Sequence, residues 1–180
     1  MVSLTTPVCD FNLPAIDFNL PGVDGQNWTL DKAKGENGLL VMFICNHCPY
    51  VKSIQQRLVD DTRILRDEFG INSIAIMSND PNEYSDNMKK ISELWNFPFP
   101  YLLDESQAIA KAYGAVCTPD FFGYNADLKL QYRGRLDESR KETSSEGVRR
   151  DLLEAMKQIA STGQGPLEQI PSMGCSIKWK

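Results

Sequence analysis

A continuous apolar run, Gly38 to Ile44, passes directly into the five residues Cys45-Asn46-His47-Cys48-Pro49. A run of this kind, bounded by turn residues, is typical of a strand buried on both faces of a parallel sheet. From Val51 to Phe69 apolar residues then recur with helical spacing, which predicts a helix that starts at Pro49 and stops at Gly70. The cysteine pair therefore lies at a strand-to-helix junction, the edge where open α/β sheets carry their functional groups.

The rest of the chain continues to alternate between strand and helix. Turn residues between short apolar stretches up to Gln26 indicate an N-terminal hairpin or extended arm. The later predicted elements are strands at Ile71–Ser78 and Phe99–Leu103, helices at Asn82–Trp95 (capped near Asn79, Asp80 or Asn82) and Glu105–Tyr113, a strand from Val116 to Tyr124, its partner Leu130–Arg135, and a helix at Gly147–Ala160. This order predicts an α/β fold, a central mixed sheet flanked by helices. We expect a single domain over residues 1–180, with a core at 7–160 and an irregular tail at 161–180.

Charge and hydropathy restrict the function. The formal net charge of -5 and the pI of about 4.9 disfavour nucleic-acid binding, which needs a basic footprint. No segment reaches the roughly 18 uninterrupted apolar residues of a membrane span, so we expect no membrane partner. The N-terminal residues have neither the basic nor the apolar region of a secretory signal, which makes the cytoplasm the expected location.

The five cysteines form an odd and unevenly spaced set, which argues against a secreted disulfide framework. Only Cys45 and Cys48 form a close pair. Zinc needs four ligands, whereas the single histidine lies inside the motif and the other cysteines are scattered, so we expect no metal. A pair of inert core cysteines is a second alternative, which the strand-to-helix setting disfavours. We therefore expect no cofactor beyond a redox-active Cys45–Cys48 disulfide.

The start of a helix favours a thiolate over a thiol, because unpaired N–H groups and partial positive charge point at it. Cys45 comes first, so we expect it to be the more exposed sulfur and to attack a partner disulfide, which Cys48 then releases from the mixed disulfide. The residues around the pair, Asn46, His47 and Pro49, are expected to tune it. As an imidazolium, His47 would stabilise the Cys45 thiolate and make the disulfide more oxidising; an exposed histidine without effect is the alternative.

Three segments are recognisable together: Cys45-x-x-Cys48 after the buried strand, Val116-Cys117-Thr118-Pro119 before a hairpin, and Tyr132-Arg133-Gly134-Arg135 within it. They resemble the thioredoxin-like superfamily, and within it the AhpC/TSA-type branch that includes peroxiredoxins and TlpA/ResA-like thiol-disulfide oxidoreductases. The likeness covers about residues 7–160 and implies a thioredoxin fold with an N-terminal β-hairpin and a βα insertion near residues 81–113. The tail around Met173–Trp179 is similar to that of uncharacterised members with Asn-His inside the motif.

The resemblance also implies a cis peptide at Thr118–Pro119 beside the dithiol. The backbone there would pair with an incoming polypeptide as a strand, and the proline would keep metals away from the sulfurs. The implied partners are a disulfide-containing protein or small-molecule thiol or disulfide, and a thiol electron donor. Cys117 would lie near the site, where we interpret it as a small buried hydrophobic residue rather than a third redox thiol.

Two departures from the family patterns leave a second function open. Leu39 stands where thioredoxins carry a buried carboxylate. In the Pro-x-x-x-Thr-x-x-Cys signature of peroxiredoxins, aligned on Cys48, Val41 takes the proline position and Cys45 the threonine position, although Cys48-Pro49 matches its end. The alternative is a thiol peroxidase in which Cys48 reacts with peroxide and Cys45 resolves it.

Residues outside the motif also bear on these alternatives. In the peroxidase, Arg133 or Arg135 would supply the cation that such a site needs. A non-catalytic redox sensor or scaffold is the third alternative. We interpret Cys175 as an exposed thiol in a flexible tail rather than as a C-terminal resolving cysteine.

Overall fold

The computed structural model describes residues 2–82 and 87–180. Its strands are β1 (Ser3–Thr5), β2 (Asn19–Pro21), β3 (Asn27–Thr29), β4 (Gly38–Phe43), β5 (Ile71–Met77), β6 (Tyr101–Leu103), β7 (Cys117–Thr118), β8 (Asp120–Asn125), β9 (Leu130–Tyr132) and β10 (Met173–Ser176). Its helices are α1 (Leu30–Ala33), α2 (Pro49–Lys52), α3 (Gln55–Phe69), α4 (Met88–Leu94), α5 (Ala108–Tyr113) and α6 (Asp151–Thr162).

A five-stranded mixed sheet in the order β6-β5-β4-β8-β9 forms the centre, which confirms the predicted α/β architecture. Strand β4 pairs in parallel with β5 and antiparallel with β8. All six of its residues are buried, because apolar side chains from both faces of the sheet cover it. The residue after a strand in this position emerges at the carboxyl edge of the sheet, and here that edge leads to the cysteine pair. The N-terminal hairpin is present as β2 and β3.

The predicted helix from Pro49 to Gly70 is divided into α2 and α3. The hydroxyl of Ser53 donates to the carbonyl of Tyr50 and to that of Arg140, so this residue bonds outside the helical ladder. The predicted end at Gly70 is confirmed: it adopts a left-handed conformation with φ of +65°. The periodicity continued through the break because the buried faces of α2 and α3 point to the same core.

Three other helices begin later than predicted. Helix α4 begins after Asn87, whose side chain accepts from the amide of Lys90, and residues 83–86 of the predicted span lie outside the described part of the chain. Helix α5 begins after Gln107, which has a left-handed backbone, so residues 105–107 form a turn. Helix α6 begins at Asp151 rather than Gly147, after residues without regular structure. In each case the apolar spacing predicted the helix correctly, and the backbone of the residue before it determined where the helix begins.

The tail, predicted to be irregular, contains strand β10. This strand lies between β1 and β7 in a separate three-stranded sheet and pairs antiparallel with both. Its partners are distant in sequence, and neither β1 nor β10 has the length or alternation that indicates a strand, so local patterns could not reveal it. The predicted strand from Val116 to Tyr124 is likewise divided at Pro119 into β7 and β8.

Buried ion pairs fix the loop before α6 to α3. The carboxylate of Asp61 accepts two hydrogen bonds from the guanidinium of Arg150, and Arg57 bonds to Asp137 at 2.6 Å. Among residues 2–82 and 87–180, no helix is long and apolar enough to cross a membrane.

Candidate active site

The backbone at the β4–α2 junction gives the two cysteines different environments. The amide of Ile44 still bonds to Ile76, so the sheet extends to the residue before Cys45. Cys48 is the N-cap of α2: its backbone is extended, and its carbonyl accepts from the amides of Val51 and Lys52. The expectation that Cys45 would be the sulfur at the helix amides is wrong, since Cys48 holds the capping position; both residues are buried, at 1% and 0% exposed.

Thr118 contacts both sulfurs. Its hydroxyl lies 3.3 Å from Cys45 Sγ, and its carbonyl oxygen lies 3.1 Å from Cys48 Sγ. The peptide bond from Thr118 to Pro119 is cis, as the resemblance implied. One threonine therefore links β7 to the dithiol through its side chain and its backbone.

Two residues inside the motif have defined contacts. Nε2 of His47 lies 3.8 Å from Cys45 Sγ, within hydrogen-bonding range for sulfur. The amide oxygen of Asn46 accepts from the hydroxyl of Tyr101 at 3.0 Å, which ties the motif to β6. The motif is thus held from β6 on one side and β7 on the other.

Cys175 is the functional residue that the sequence reasoning misplaced. Its Sγ lies 3.0 Å from Cys48 Sγ, and only 5% of the residue is exposed. The prediction of an exposed thiol in a flexible tail is therefore wrong, because β10 is inserted between β1 and β7 and carries Cys175 to the site. The pattern Met173-Gly174-Cys175 contained no local signal for this pairing.

Cys45 and Cys48 share one proton. The hydrogen bond that Cys48 accepts from the thiol of Cys45 lowers the Cys48 pKa from 9.0 to about 5, with further help from the side chain and amide of Cys175 and from the amide of Val51, while burial opposes the shift. The same hydrogen bond, with burial, raises the pKa of Cys45. Burial, followed by the contact with Cys48, raises the pKa of Cys175 to about 12. The hydrogen bond between the two sulfurs therefore favours a thiolate at Cys48 over one at Cys45.

The remaining predicted site residues lie around this centre. Cys117 is fully buried, with Sγ 3.6 Å from the carbonyl of Pro119, and burial, followed by the charge of Asp120, raises its pKa. Arg133 forms a buried ion pair with Asp120 at 2.9 Å, and Arg135 pairs with Asp151 at 2.7 Å. Both guanidinium groups, proposed as cations for a peroxide site, therefore face carboxylates.

The buried carboxylate of thioredoxins has no counterpart at Leu39, which is fully buried in an apolar cluster. Within the described residues, no group of three or more His, Cys, Asp or Glu side chains is arranged as a metal site.

Comparisons with known proteins agree with this geometry. A structure of an uncharacterized conserved protein from Geobacillus kaustophilus is 41% identical, with a TM-score of 0.93 over 100% of this chain and 97% of that chain. A hypothetical protein from Sinorhizobium meliloti is 34% identical, with a TM-score of 0.87 over 99% and 97%. A thiol:disulfide interchange protein of the thioredoxin family from Chlorobium tepidum, 18% identical with a TM-score of 0.59 over 72% and 89%, shows the shared thioredoxin fold.

The comparison with curated proteins gives no match. The model of the AhpC/TSA family matches residues 11–136, a span that includes the cysteine motif, the Thr118–Pro119 peptide and both arginines of the hairpin. The chain belongs to the AhpC/TSA family.

Proposed function

We propose that this protein is a thiol-disulfide oxidoreductase that uses Cys45 and Cys48. The observation that carries the proposal is the pair of sulfurs at a strand-to-helix junction, both in contact with Thr118. Cys45 is the sulfur that meets the substrate, because Cys48 is enclosed by Thr118, Cys175 and Cys45 itself. His47, 3.8 Å from Cys45 Sγ, accepts the proton when Cys45 becomes the nucleophile.

The reaction consists of two exchanges. The Cys45 thiolate attacks one sulfur of a substrate disulfide, forms a mixed disulfide and releases the other sulfur as a thiolate. The Cys48 thiolate then attacks Cys45 Sγ, which releases the second substrate thiolate and leaves a Cys45–Cys48 disulfide. The substrate has gained two electrons, and a thiol donor returns the protein to the dithiol. With Cys45 in the mixed disulfide its hydrogen bond to Cys48 is gone, and the Cys48 thiolate of the second step keeps the stabilisation from the side chain and amide of Cys175 and from the amide of Val51, without a carboxylate at Leu39.

The substrate class follows from the strand next to the site. The resemblance implied that the backbone before Pro119 pairs with an incoming polypeptide, but β10 already pairs with Cys117 and Thr118. This pairing favours a small-molecule disulfide, or a protein disulfide on a flexible loop, over a polypeptide that pairs with β7 as a strand. In the cytoplasm, the location we propose, the resting state is the reduced one.

Thiol peroxidase activity is the second candidate, favoured by the thiolate centred on Cys48. Hydrogen peroxide is small enough to reach a buried sulfur, where attack by Cys48 would give a sulfenic acid and release water after proton transfer. The thiol of Cys45 would then displace a second water and form the same Cys45–Cys48 disulfide. The positive charges of Arg133 and Arg135 would act on such a site only together with the negative charges of their partner carboxylates.

Single serine variants distinguish the two candidates. Wild type, Cys45→Ser and Cys48→Ser are assayed for reduction of insulin disulfides and of glutathione disulfide, and for consumption of hydrogen peroxide, with Cys9→Ser as the control. We expect both site variants to lose disulfide reduction and the control to keep it. Full peroxide consumption by Cys45→Ser, with its loss in Cys48→Ser, would favour the peroxidase. Inactivity of wild type in every assay would refute both and leave the redox sensor.

A further inference from the structure

Strand β10 occupies the position of a strand-paired substrate. Its residue Cys175 lies opposite Thr118, and Ser176 lies opposite Cys117, in antiparallel register. Thr118 is the residue whose hydroxyl and carbonyl contact the two sulfurs of the motif. A segment of this chain thus brings a thiol to the place where an external peptide would bring its disulfide.

Strand β10 packs closely against the backbone of Thr118. A Cβ atom on Gly174 would lie 2.1 Å from the carbonyl oxygen of Thr118, so only glycine allows the two backbones to approach this far. On its other edge β10 pairs with β1, where Ser3 lies opposite Cys175. Pairing on both edges fixes the 3.0 Å contact between Cys175 Sγ and Cys48 Sγ. Formation of a bond from this contact requires the sulfurs to approach by about 1 Å.

We propose that Cys175 is a third redox thiol, which exchanges with the Cys45–Cys48 disulfide to form a Cys48–Cys175 disulfide. The inference rests on the proposed function, which supplies the first disulfide. In the exchange, the Cys175 thiolate attacks Cys48 Sγ; the Cys48–Cys175 bond forms, the Cys45–Cys48 bond breaks, and Cys45 leaves as a thiolate. The proton lost by Cys175 is taken up at Cys45, and no external oxidant or reductant takes part.

The exchange changes which cysteine of the oxidised protein is a free thiol. The disulfide moves to a pair of sulfurs enclosed between α2 and β10, while Cys45 becomes a free thiol beside His47. Burial raises the pKa of Cys175 and makes its thiolate scarce, so the exchange should accelerate as the pH rises. The positive charges of Lys178 and Lys141 partly oppose this shift.

Disulfide mapping of the full chain tests the proposal. The reduced protein is oxidised with glutathione disulfide, quenched in acid at successive times, alkylated in denaturant and digested with trypsin. Cys45 and Cys48 then share the peptide of residues 35–52, and Cys175 lies in the peptide of residues 158–178. We expect an early product with the disulfide inside the first peptide, and a later one in which the two peptides are joined and Cys45 is alkylated.

Variants assign the sulfurs. Cys48→Ser and Cys175→Ser should lose the joined peptides, Cys45→Ser should lose them too because it cannot form the first disulfide, and Cys117→Ser should match wild type. If wild type forms the Cys45–Cys48 disulfide and the two peptides are never joined at any time or pH, the inference is wrong and the proposed function stands. Joined peptides in Cys48→Ser would overturn the assignment to Cys48. If wild type forms no disulfide within or between these peptides, both proposals fail.

Discussion

Substitution of Gly174 by alanine tests the close packing of β10 against Thr118 directly. The new Cβ would lie 2.1 Å from Thr118 O, 2.5 Å from Thr118 C and 2.9 Å from Pro119 N, all of them backbone atoms that cannot rotate away. Comfortable contacts begin near 3.5 Å, so β10 must retreat by about 1 Å or more. A hydrogen bond stretched by that distance is lost, and the pairing of β10 with β7 is lost with it.

The expected magnitude follows from comparable overpacked sites. An added methyl group that forces a backbone shift costs about 1–3 kcal/mol. In a domain of this size, each kcal/mol lowers the melting temperature by about 2–4 °C, so a loss of about 2 kcal/mol corresponds to about 4–8 °C. Because the same free energy holds Cys175 at Cys48, the ratio of the Cys48–Cys175 to the Cys45–Cys48 disulfide should fall about tenfold or more, since about 1.4 kcal/mol is a factor of ten.

Calorimetry of the reduced protein and disulfide mapping of the oxidised protein measure the two effects. Gly147→Ala is the matched control: Gly147 has φ of +82° and no atom within 4 Å of a Cβ, so its alanine variant suffers backbone strain without touching β10. We expect the control to lose some stability and to keep the disulfide distribution of wild type. A Gly174→Ala variant with wild-type melting temperature and wild-type disulfide yield would refute the close approach of β10 to Thr118.

Three further predictions concern charge. The thiolate absorbance of the reduced protein should titrate near pH 5, and it should disappear in Cys48→Ser but not in Cys117→Ser. Because folding lowers the pKa of Cys48 from 9.0, the reduced protein should lose stability as the pH falls from 9 through 5. His47→Pro should make the reduction potential about 20 mV more negative in a redox-buffer titration, because the hydrogen bond between His47 and Cys45 stabilises the reduced site by about 1 kcal/mol; an unchanged potential would contradict this role of the contact. Burial, opposed by Arg150, raises the pKa of Asp61 to about 7. Arg150→Met should therefore lower the free energy of unfolding in urea by about 3 kcal/mol above that pH, and by less below it, where the carboxyl is protonated. An equal loss of stability at both pH values would contradict this assignment.

The centre of the fold was predictable because its signals are local. One stretch of chain contains the apolar run of β4, the cysteine motif and the helical spacing of α3. Each of these patterns predicts the structure of the residues that form it. The glycine at position 70 ended its helix as expected. The break at Ser53 was hidden, because it depends on a contact with Arg140, far along the chain.

The sulfur chemistry was predictable in kind but not in arrangement. Cys-x-x-Cys after a buried strand indicated a dithiol, yet which sulfur caps the helix depends on where α2 begins, and that differs by a few residues between equally plausible starts. The position of Cys175 depends on strands paired across most of the chain. No period or propensity within four residues could have indicated that pairing.

The separation between Cys48 and Cys175, 127 residues, has a consequence for synthesis. At a translation rate of about 5–20 residues per second, a nascent chain carries the dithiol for roughly 6–25 seconds before Cys175 is made. During that interval the motif exists without its third sulfur, and the strand edge at Thr118, once made, has no partner from the tail. The first disulfide that a newly made chain can form within this trio is therefore Cys45–Cys48.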